Sequence, residues 1–277
     1  MKQILAEGGI RLTKSLGQNF LHDGNQLRRM VQAADLSNAD KVLEIGPGLG
    51  SLTDLLLSQA GEVLAIEKDG RLVKALEQRF TGAKNLALLH ADALEYLQDQ
   101  TRDWSDWKLV ANLPYSVASP ILVELAQNEL CPRRTVVTLQ LEVSQRLVAE
   151  PGNRDYGVLS LLVQLRYAAK GFFKIPASCF FPEPEVDSAC ITLSARPCPL
   201  LAPEQSRTFA KIVKRSFSQR RKMMMKLLKE DWPPERLATA FRHLHLASQV
   251  RAETVGLEQF VELTRLLDQR TYPVPRQ

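Results

Sequence analysis

The feature that most narrows the fold is a regular alternation between residues 41 and 141. Short apolar runs ("KVLEIG", "EVLAIE", "LALLHAD", "WKLVANL", "TVVTLQL") are separated by helix-length stretches, of which "SLTDLLLSQ" and "GRLVKALEQRF" are the clearest. Antiparallel neighbours need only a tight turn between them, whereas parallel neighbours need a crossover of about a dozen residues. Strands that are apolar throughout, not on alternate residues, are covered on both faces. The spacing predicts a doubly wound α/β domain whose ligands sit at the carboxyl ends of its strands.

Beyond residue 141 the pattern changes. "VLSLLVQLRY" reads as a helix, and "AAKGFFKIP" and "VDSACITLSA" read as two late strands flanking the loop "ASCFFPEPE". The Pro-rich interval "ARPCPLLAP" marks a linker, and "QSRTFAKIVKRSFSQRRKMMMKLLK", "PERLATAFRHL" and "LEQFVELTRLLDQ" are helical by period. Two domains follow: residues 1–196, α/β with an N-terminal extension, and residues 204–277, small and all helical. The tail "TYPVPRQ" is expected to be disordered.

Several function classes are disfavoured. The apolar runs are too short for a membrane span, and the start "MKQILAEGGIRLTKSLGQ" has no sustained apolar signal region, which points to the cytoplasm and to no membrane partner. Cys131, Cys179, Cys190 and Cys198 form no C-x-x-C pair, and His22, His90, His243 and His245 supply no second half of a zinc pattern. The cysteines are read as free thiols, and no metal is expected. Gly8, Gly9, Arg11 and Lys14 suit a mobile lid.

The net charge of +5 is concentrated in one segment. From Gln205 to Lys229 there are nine basic residues (Arg207, Lys211, Lys214, Arg215, Arg220, Arg221, Lys222, Lys226, Lys229) and no acidic one, leaving 27 basic against 31 acidic elsewhere. A solvated helix face is the plain explanation, but like charges without i,i+4 carboxylates repel one another. A polyanion that releases counterions on contact turns that cost into affinity, so Arg215, Arg220, Arg221 and Lys222 are candidate nucleic-acid contacts.

The strand ends carry the cofactor signal. "LEIGPGLGSLT" sets Gly46, Gly48 and Gly50 between the first of these strands and its helix, where glycine permits a sharp turn and a close-lying ligand. The spacing is G-x-G-x-G, and Ser51 takes the last slot of the dinucleotide pattern, which disfavours a nicotinamide enzyme. Glu67 ends the next strand, where a carboxylate accepts ribose hydroxyls, and Asp92 follows the third, placed to accept from an adenine amine. Either acid alone is commonly a helix cap. In series they fit an amino acid moiety, a ribose and an adenine, which is S-adenosylmethionine.

The fourth strand ends on "NLPY". The N6 amine of adenine is a poor nucleophile because its lone pair is delocalised into the ring. Hydrogen bonds from both N6 hydrogens to the Asn112 side-chain oxygen and the Leu113 carbonyl favour a pyramidal, reactive nitrogen. Pro114 restricts Leu113 to extended geometry, and Tyr115 offers a stacking face. A base held this way must be unstacked, and Phe180 and Phe181 are candidates for a second ring, although Phe before a Pro-rich turn is commonly core.

At this point the chain resembles the small-subunit ribosomal RNA dimethyladenosine transferases, nearly end to end. The matching stretches are "KSLGQNFLHD", "LEIGPGLGSLT", "IEKD", "HADAL", "NLPY", "LEVSQRLVAEPGNRDYGVLS", "FFPEPEVDS" and "FSQRRKMMMKLL". The resemblance implies a Rossmann-like methyltransferase domain that contacts S-adenosylmethionine at Asn19, Leu21, Gly46, Gly48, Glu67, Asp92 and Asn112. It implies that Phe180, opening F-x-P-x-P-x-V, is the second stacking ring and Phe181 is not. It further implies a monomer that makes N6,N6-dimethyladenosine at two adjacent adenosines near the 3′ end of small-subunit rRNA, during subunit assembly. Leu141 departs from the lysine usual after "LQ". Two alternatives are a relative that modifies large-subunit rRNA, which "FSQRRKMMMKLL" argues against, and an assembly or transcription factor that kept the fold without activity, which intact Glu67, Asp92 and N-L-P-Y argue against.

Overall fold

The structure, a computed structural model, describes residues 19–99 and 102–268. The lid expected around Gly8–Lys14 and the tail 271–277 lie outside the described residues. In chain order the elements are β1 (Phe20–Leu21), α1 (Gly24–Ala34), β2 (Lys41–Ile45), α2 (Ser51–Leu57), β3 (Glu62–Glu67), α3 (Gly70–Arg79), β4 (Leu86–His90), α4 (Ala93–Asp99), β5 (Trp107–Asn112), α5 (Ala118–Gln127) and β6 (Arg134–Gln140). Then come α6 (Leu141–Val148), α7 (Val158–Gln164), β7 (Tyr167–Ile175), β8 (Phe180–Phe181), β9 (Ser188–Ala195), α8 (Ser206–Ser216), α9 (Met224–Leu228), α10 (Pro234–His243) and α11 (Leu257–Leu267).

They form two compact units. The first runs up to Ser144 and resumes over Ala168–Ala195; the second comprises Gln145–Tyr167 and the chain from Arg196 onward. The first unit holds a seven-stranded sheet in the order β4-β3-β2-β5-β6-β9-β7. Strands β2 to β6 pair in parallel, as the crossover lengths require, while β9 joins β6 antiparallel along its whole length, Arg134 opposite Ser194 through Gln140 opposite Ser188. Val42, Val63, Val110 and Val136 build one core cluster with Met30, Val31 and Ala34 of α1 and Leu52 and Leu56 of α2. Helix α1 starts where it does because Asp23 accepts from the Asn25 and Gln26 backbone N–H groups at 2.9 Å, satisfying two otherwise orphaned donors.

Two features depart from the sequence reading. Residues 145–167, assigned above to the α/β domain, belong with the helical unit: α7 packs its buried Leu161, Leu162 and Val163 against α8. The Phe217 ring centroid lies 6.2 Å from both Tyr156 and Phe260, and the Tyr156 hydroxyl donates to the Val255 carbonyl at 2.9 Å. An apolar helix face packs wherever a complementary face exists, and a helical period does not say where that is. The second departure is the long basic helix, which is two helices, α8 and α9, joined by a turn that carries Arg220, Arg221 and Lys222. The Ser218 hydroxyl closes α8 by donating to the Arg215 carbonyl at 2.8 Å.

A two-residue ladder also escaped the sequence reading: β1 pairs with β8, Phe20 opposite Phe181 and Leu21 opposite Phe180. It ties the start of the described chain to the F-x-P-x-P loop. No helix among the described residues is long and apolar enough to cross a membrane.

Candidate active site

The chain lays down β2, β3 and β4 in one direction across the sheet, then returns to the other side of β2 for β5 and β6. The loops after β2 and β5 therefore diverge, which opens a crevice at the strand ends. The β2–β5 register runs only from Lys41–Trp107 to Leu43–Leu109, whereas β2 and β3 pair through Ile45–Ile66. The pocket at this point is lined by Asn19, Gly46, Gly48, Glu67, Asp92, Asn112 and Pro114, together with Phe20, Lys68 and others.

The glycine turn is shaped for close approach. Gly46 has φ +70° and a Cβ there would meet the Pro114 ring at 3.3 Å. Gly48 has φ +61° and a Cβ would lie 2.6 Å from the Phe20 ring, so a side chain is excluded by backbone and neighbour together. Below the turn, Glu44 is buried and accepts from the Thr53 hydroxyl at 2.7 Å. Burial pushes its carboxyl up to about 8, with the Thr53 hydrogen bond pulling it down and the Glu67 charge adding to the rise.

Glu67 ends β3 with one oxygen accepting from the Asp69 N–H at 2.9 Å and the other from the Gly48 N–H at 3.2 Å. Burial raises its pKa against the pull of those donors. Two oxygens offer about four acceptor positions, so the carboxylate keeps capacity for hydroxyl donors in the pocket. Asp92 is a helix cap as well as a pocket residue: one oxygen accepts from Leu94 N–H at 2.8 Å, the other from the Lys68 ammonium at 2.6 Å. The Lys68 hydrogen bond is the main reason its pKa is lowered.

Asn112 is the most informative residue. Its Nδ2 donates to the Asn19 carbonyl at 2.8 Å. A carbonyl only accepts, so that bond fixes the amide's orientation and turns Oδ1 the other way. Oδ1 is buried with no hydrogen-bond partner. An unpartnered buried oxygen costs about 1–3 kcal/mol, and a donor arriving in the pocket removes that cost. The cradle of glycines, the acid with spare acceptors and the orphaned amide oxygen fit an adenosyl amino acid and an amine donor.

The remaining expected site residues are placed differently. Leu21 is buried and lines a smaller recess beside Glu44, Gly46 and Asn112. Leu113 has its side chain in the core. Tyr115 does not line the pocket; its hydroxyl shares a 2.5 Å hydrogen bond with Ser188 Oγ, and burial raises its pKa. Phe180, expected as the second stacking ring, is 2% exposed inside the core cluster with Leu21 and Leu27, so it presents no open face. Phe181 is the partly buried ring of the pair and packs beside Phe20, Leu49 and Leu72. Successive residues along a strand point to opposite faces and paired residues share one, so Phe180 lies with Leu21 on the α1 side and Phe181 with Phe20 on the other.

In the helical unit, Arg215 is ion-paired. Its guanidinium donates to Asp231 at 2.6 Å and to Glu230 at 2.5 Å, and Lys211 pairs with Asp231 at 2.8 Å. These acids lie just past the segment whose lack of carboxylates suggested the role. Arg220 donates to the Arg154 carbonyl at 2.8 Å, and Arg221 and Lys222 are exposed on the turn. Sequence reasoning missed Phe20, Lys68 and Glu44, although each stands in a stretch already singled out, "KSLGQNFLHD", "IEKD" and "LEIGPGLGSLT".

A ligand crevice at the β2/β5 reversal, roofed by a glycine turn tighter than the dinucleotide spacing, belongs to the class of Rossmann-like methyltransferases. The family model for ribosomal RNA adenine dimethylases matches residues 9–269. Similar proteins named ribosomal RNA small subunit methyltransferase A include one from Geobacillus thermodenitrificans, 38% identical over 96% of this chain and 94% of its own. Another, from Gloeobacter violaceus, is 40% identical over 94% and 95%. Among solved structures, a dimethyladenosine transferase from Plasmodium falciparum shares the fold, with TM-score 0.73 and 24% identity over 88% of this chain and 95% of that one. The 23S rRNA methyltransferase ErmE matches with TM-score 0.68 and 27% identity over 91% and 100%. The chain belongs to the ribosomal RNA adenine dimethylase family.

Proposed function

We propose that this chain transfers methyl groups from S-adenosylmethionine to N6 of two adjacent adenosines near the 3′ end of small-subunit rRNA, acting as a monomer on a pre-assembled small subunit in the cytoplasm. The observation that carries the chemistry is the buried, unpartnered Oδ1 of Asn112 at the pocket wall. Asn19, Gly46, Gly48, Glu67 and Asp92 would hold the cofactor, with Leu21 behind them; when bound, it supplies a methyl carbon activated by positive sulfur.

Asn112 Oδ1 and the Leu113 carbonyl accept from the two hydrogens of the target amine, leaving its lone pair available. Pro114 fixes the turn that presents both oxygens. Fixed carbonyl dipoles cost no reorganisation at the moment of reaction, and alignment supplies much of the remainder. Transfer leaves a cationic methylated aminium, which is acidic enough to lose its proton to water, so no side chain has to act as a strong general base. Tyr115, hydrogen-bonded to Ser188, stands outside the pocket lining, so stacking on a target base would require its ring to move. Stacking by Phe180 would require the F-x-P-x-P loop to rearrange, since the ring is buried.

The curated relatives named above support the small-subunit target; the likeness to a 23S rRNA methyltransferase supports a large-subunit one. The higher identity of the former favours the first. Incubation with labelled S-adenosylmethionine and unmodified small or large subunits, followed by nucleoside analysis, separates them. Dimethyladenosine in small-subunit RNA is the expected result. Label confined to large-subunit RNA would transfer the assignment, and cofactor binding without any methylation would remove the enzyme reading.

A further inference from the structure

Strand β7 is an edge of the seven-stranded sheet, and its sequence "YAAKGFFKI" is exposed through most of its middle. Side chains alternate faces along a strand, so Lys170, Phe172 and Lys174 lie on one face, with the Cα atoms of the two lysines roughly 13 Å apart. Phe172 is 43% exposed. On the other face Phe173 packs against the core, and the Arg29 guanidinium of α1 sits 3.8 Å above its ring centroid. Arg28 and Arg29 hydrogen-bond Asn25 and Gln26. None of the ion pairs among the described residues engages Arg28, Arg29, Lys170 or Lys174.

We infer that this edge is a second RNA-contacting surface, on the catalytic unit and separate from the basic turn of the helical unit. The inference rests on the RNA-directed reading above. Lysines alone serve to keep an edge strand from pairing with another sheet, but an exposed phenylalanine between them works against that purpose. Cations alternating with an aromatic face match a nucleic acid strand, where phosphates meet the cations and a base stacks on the ring. The uncompensated charges on both sides of the edge, with α1 and β7 free of carboxylates, favour a polyanion over a protein partner.

The test uses the full chain with Lys170→Gln and Lys174→Gln combined, and separately with Phe172→Ala. Binding to transcribed small-subunit rRNA is measured across a salt series, with S-adenosylmethionine binding measured alongside as a folding control. The double variant should bind RNA about tenfold more weakly at low salt and flatten the log–log salt slope by about 1.5 to 2. Phe172→Ala should weaken binding about fivefold or more, within the range for a lost base–ring stack, with an unchanged slope. RNA binding and slope equal to wild type in both variants overturns the inference while leaving the proposed activity intact. Absence of RNA binding by the wild-type chain overturns the RNA-directed reading itself. Loss of binding only to vesicles containing phosphatidylglycerol, with RNA binding retained, would reassign the edge to a lipid surface and also overturn the inference.

Discussion

Asn112 shows how one amide divides its two ends between structure and chemistry. Nδ2 donates to Asn19 and Oδ1 is buried without a partner, on a residue that lines the pocket. Asn112→Ala should lower turnover at least about 100-fold, the usual scale for losing a fixed polar contact to the reacting group. Cofactor affinity, measured by calorimetry, should change by no more than about threefold. Equal losses in both would mean that the anchor to Asn19 is its main role. Glu44 makes a second prediction. Its pKa of about 8 in the folded chain stands above the ordinary 4.5, so the neutral acid is the form that folding prefers. Its contribution is fully present below pH 4.5 and is lost as pH rises through about 8. In urea titrations the stability difference between pH 6 and pH 9 should shrink by roughly 1 kcal/mol or more in Glu44→Gln, which keeps an acceptor for Thr53 and cannot ionise. An unchanged difference would place the ionisation elsewhere.

The turn between α8 and α9 is the element where sequence and structure diverge most usefully. A period-based reading makes the basic segment one helix and ranks Arg215 with Arg220, Arg221 and Lys222. Folding separates them, because Glu230 and Asp231 return to Arg215 after α9. Neutralising Arg220, Arg221 and Lys222 together should weaken RNA binding and lower the salt slope by about 2 to 3. Arg215→Gln should alter that slope little. Its side chain is about one-third exposed, so water screens the pairs and its thermal melt should shift little. A salt slope as sensitive to Arg215 as to the turn would show that the ion pairs open on RNA.

For the whole molecule, the boundary of the helical unit has a direct consequence. A fragment of residues 204–277 lacks α7 and Tyr156, against which α8 and Phe217 pack. It should show a broad, weakly cooperative melt by circular dichroism. A sharp transition in the short fragment would restore the boundary at the Pro-rich linker. The same long-range logic governs how much of the site was legible in the sequence. Gly46, Glu67, Asp92 and Asn112 could be named in advance because a parallel sheet brings successive strand ends to one edge, and each strand announces itself within a few residues. Phe180 could not be placed, because F-x-P-x-P is compatible with either ring facing inward, and only the pairing with Phe20–Leu21 settles which one does.

By itself the sequence determined the doubly wound order of elements, the glycine turn, the acids and amide at successive strand ends, and the family. All of these are encoded in local windows, by periodicity, turn chemistry and spacing. Only the tertiary structure decided that Asn112 is oriented by Asn19, that Phe20 closes over Gly48, that Arg215 is neutralised, that residues 145–167 leave the α/β unit, and that β7 is an open cationic edge. Each depends on which distant segment packs against which. That choice is made by complementary buried surfaces and satisfied hydrogen bonds, which no single window of sequence contains.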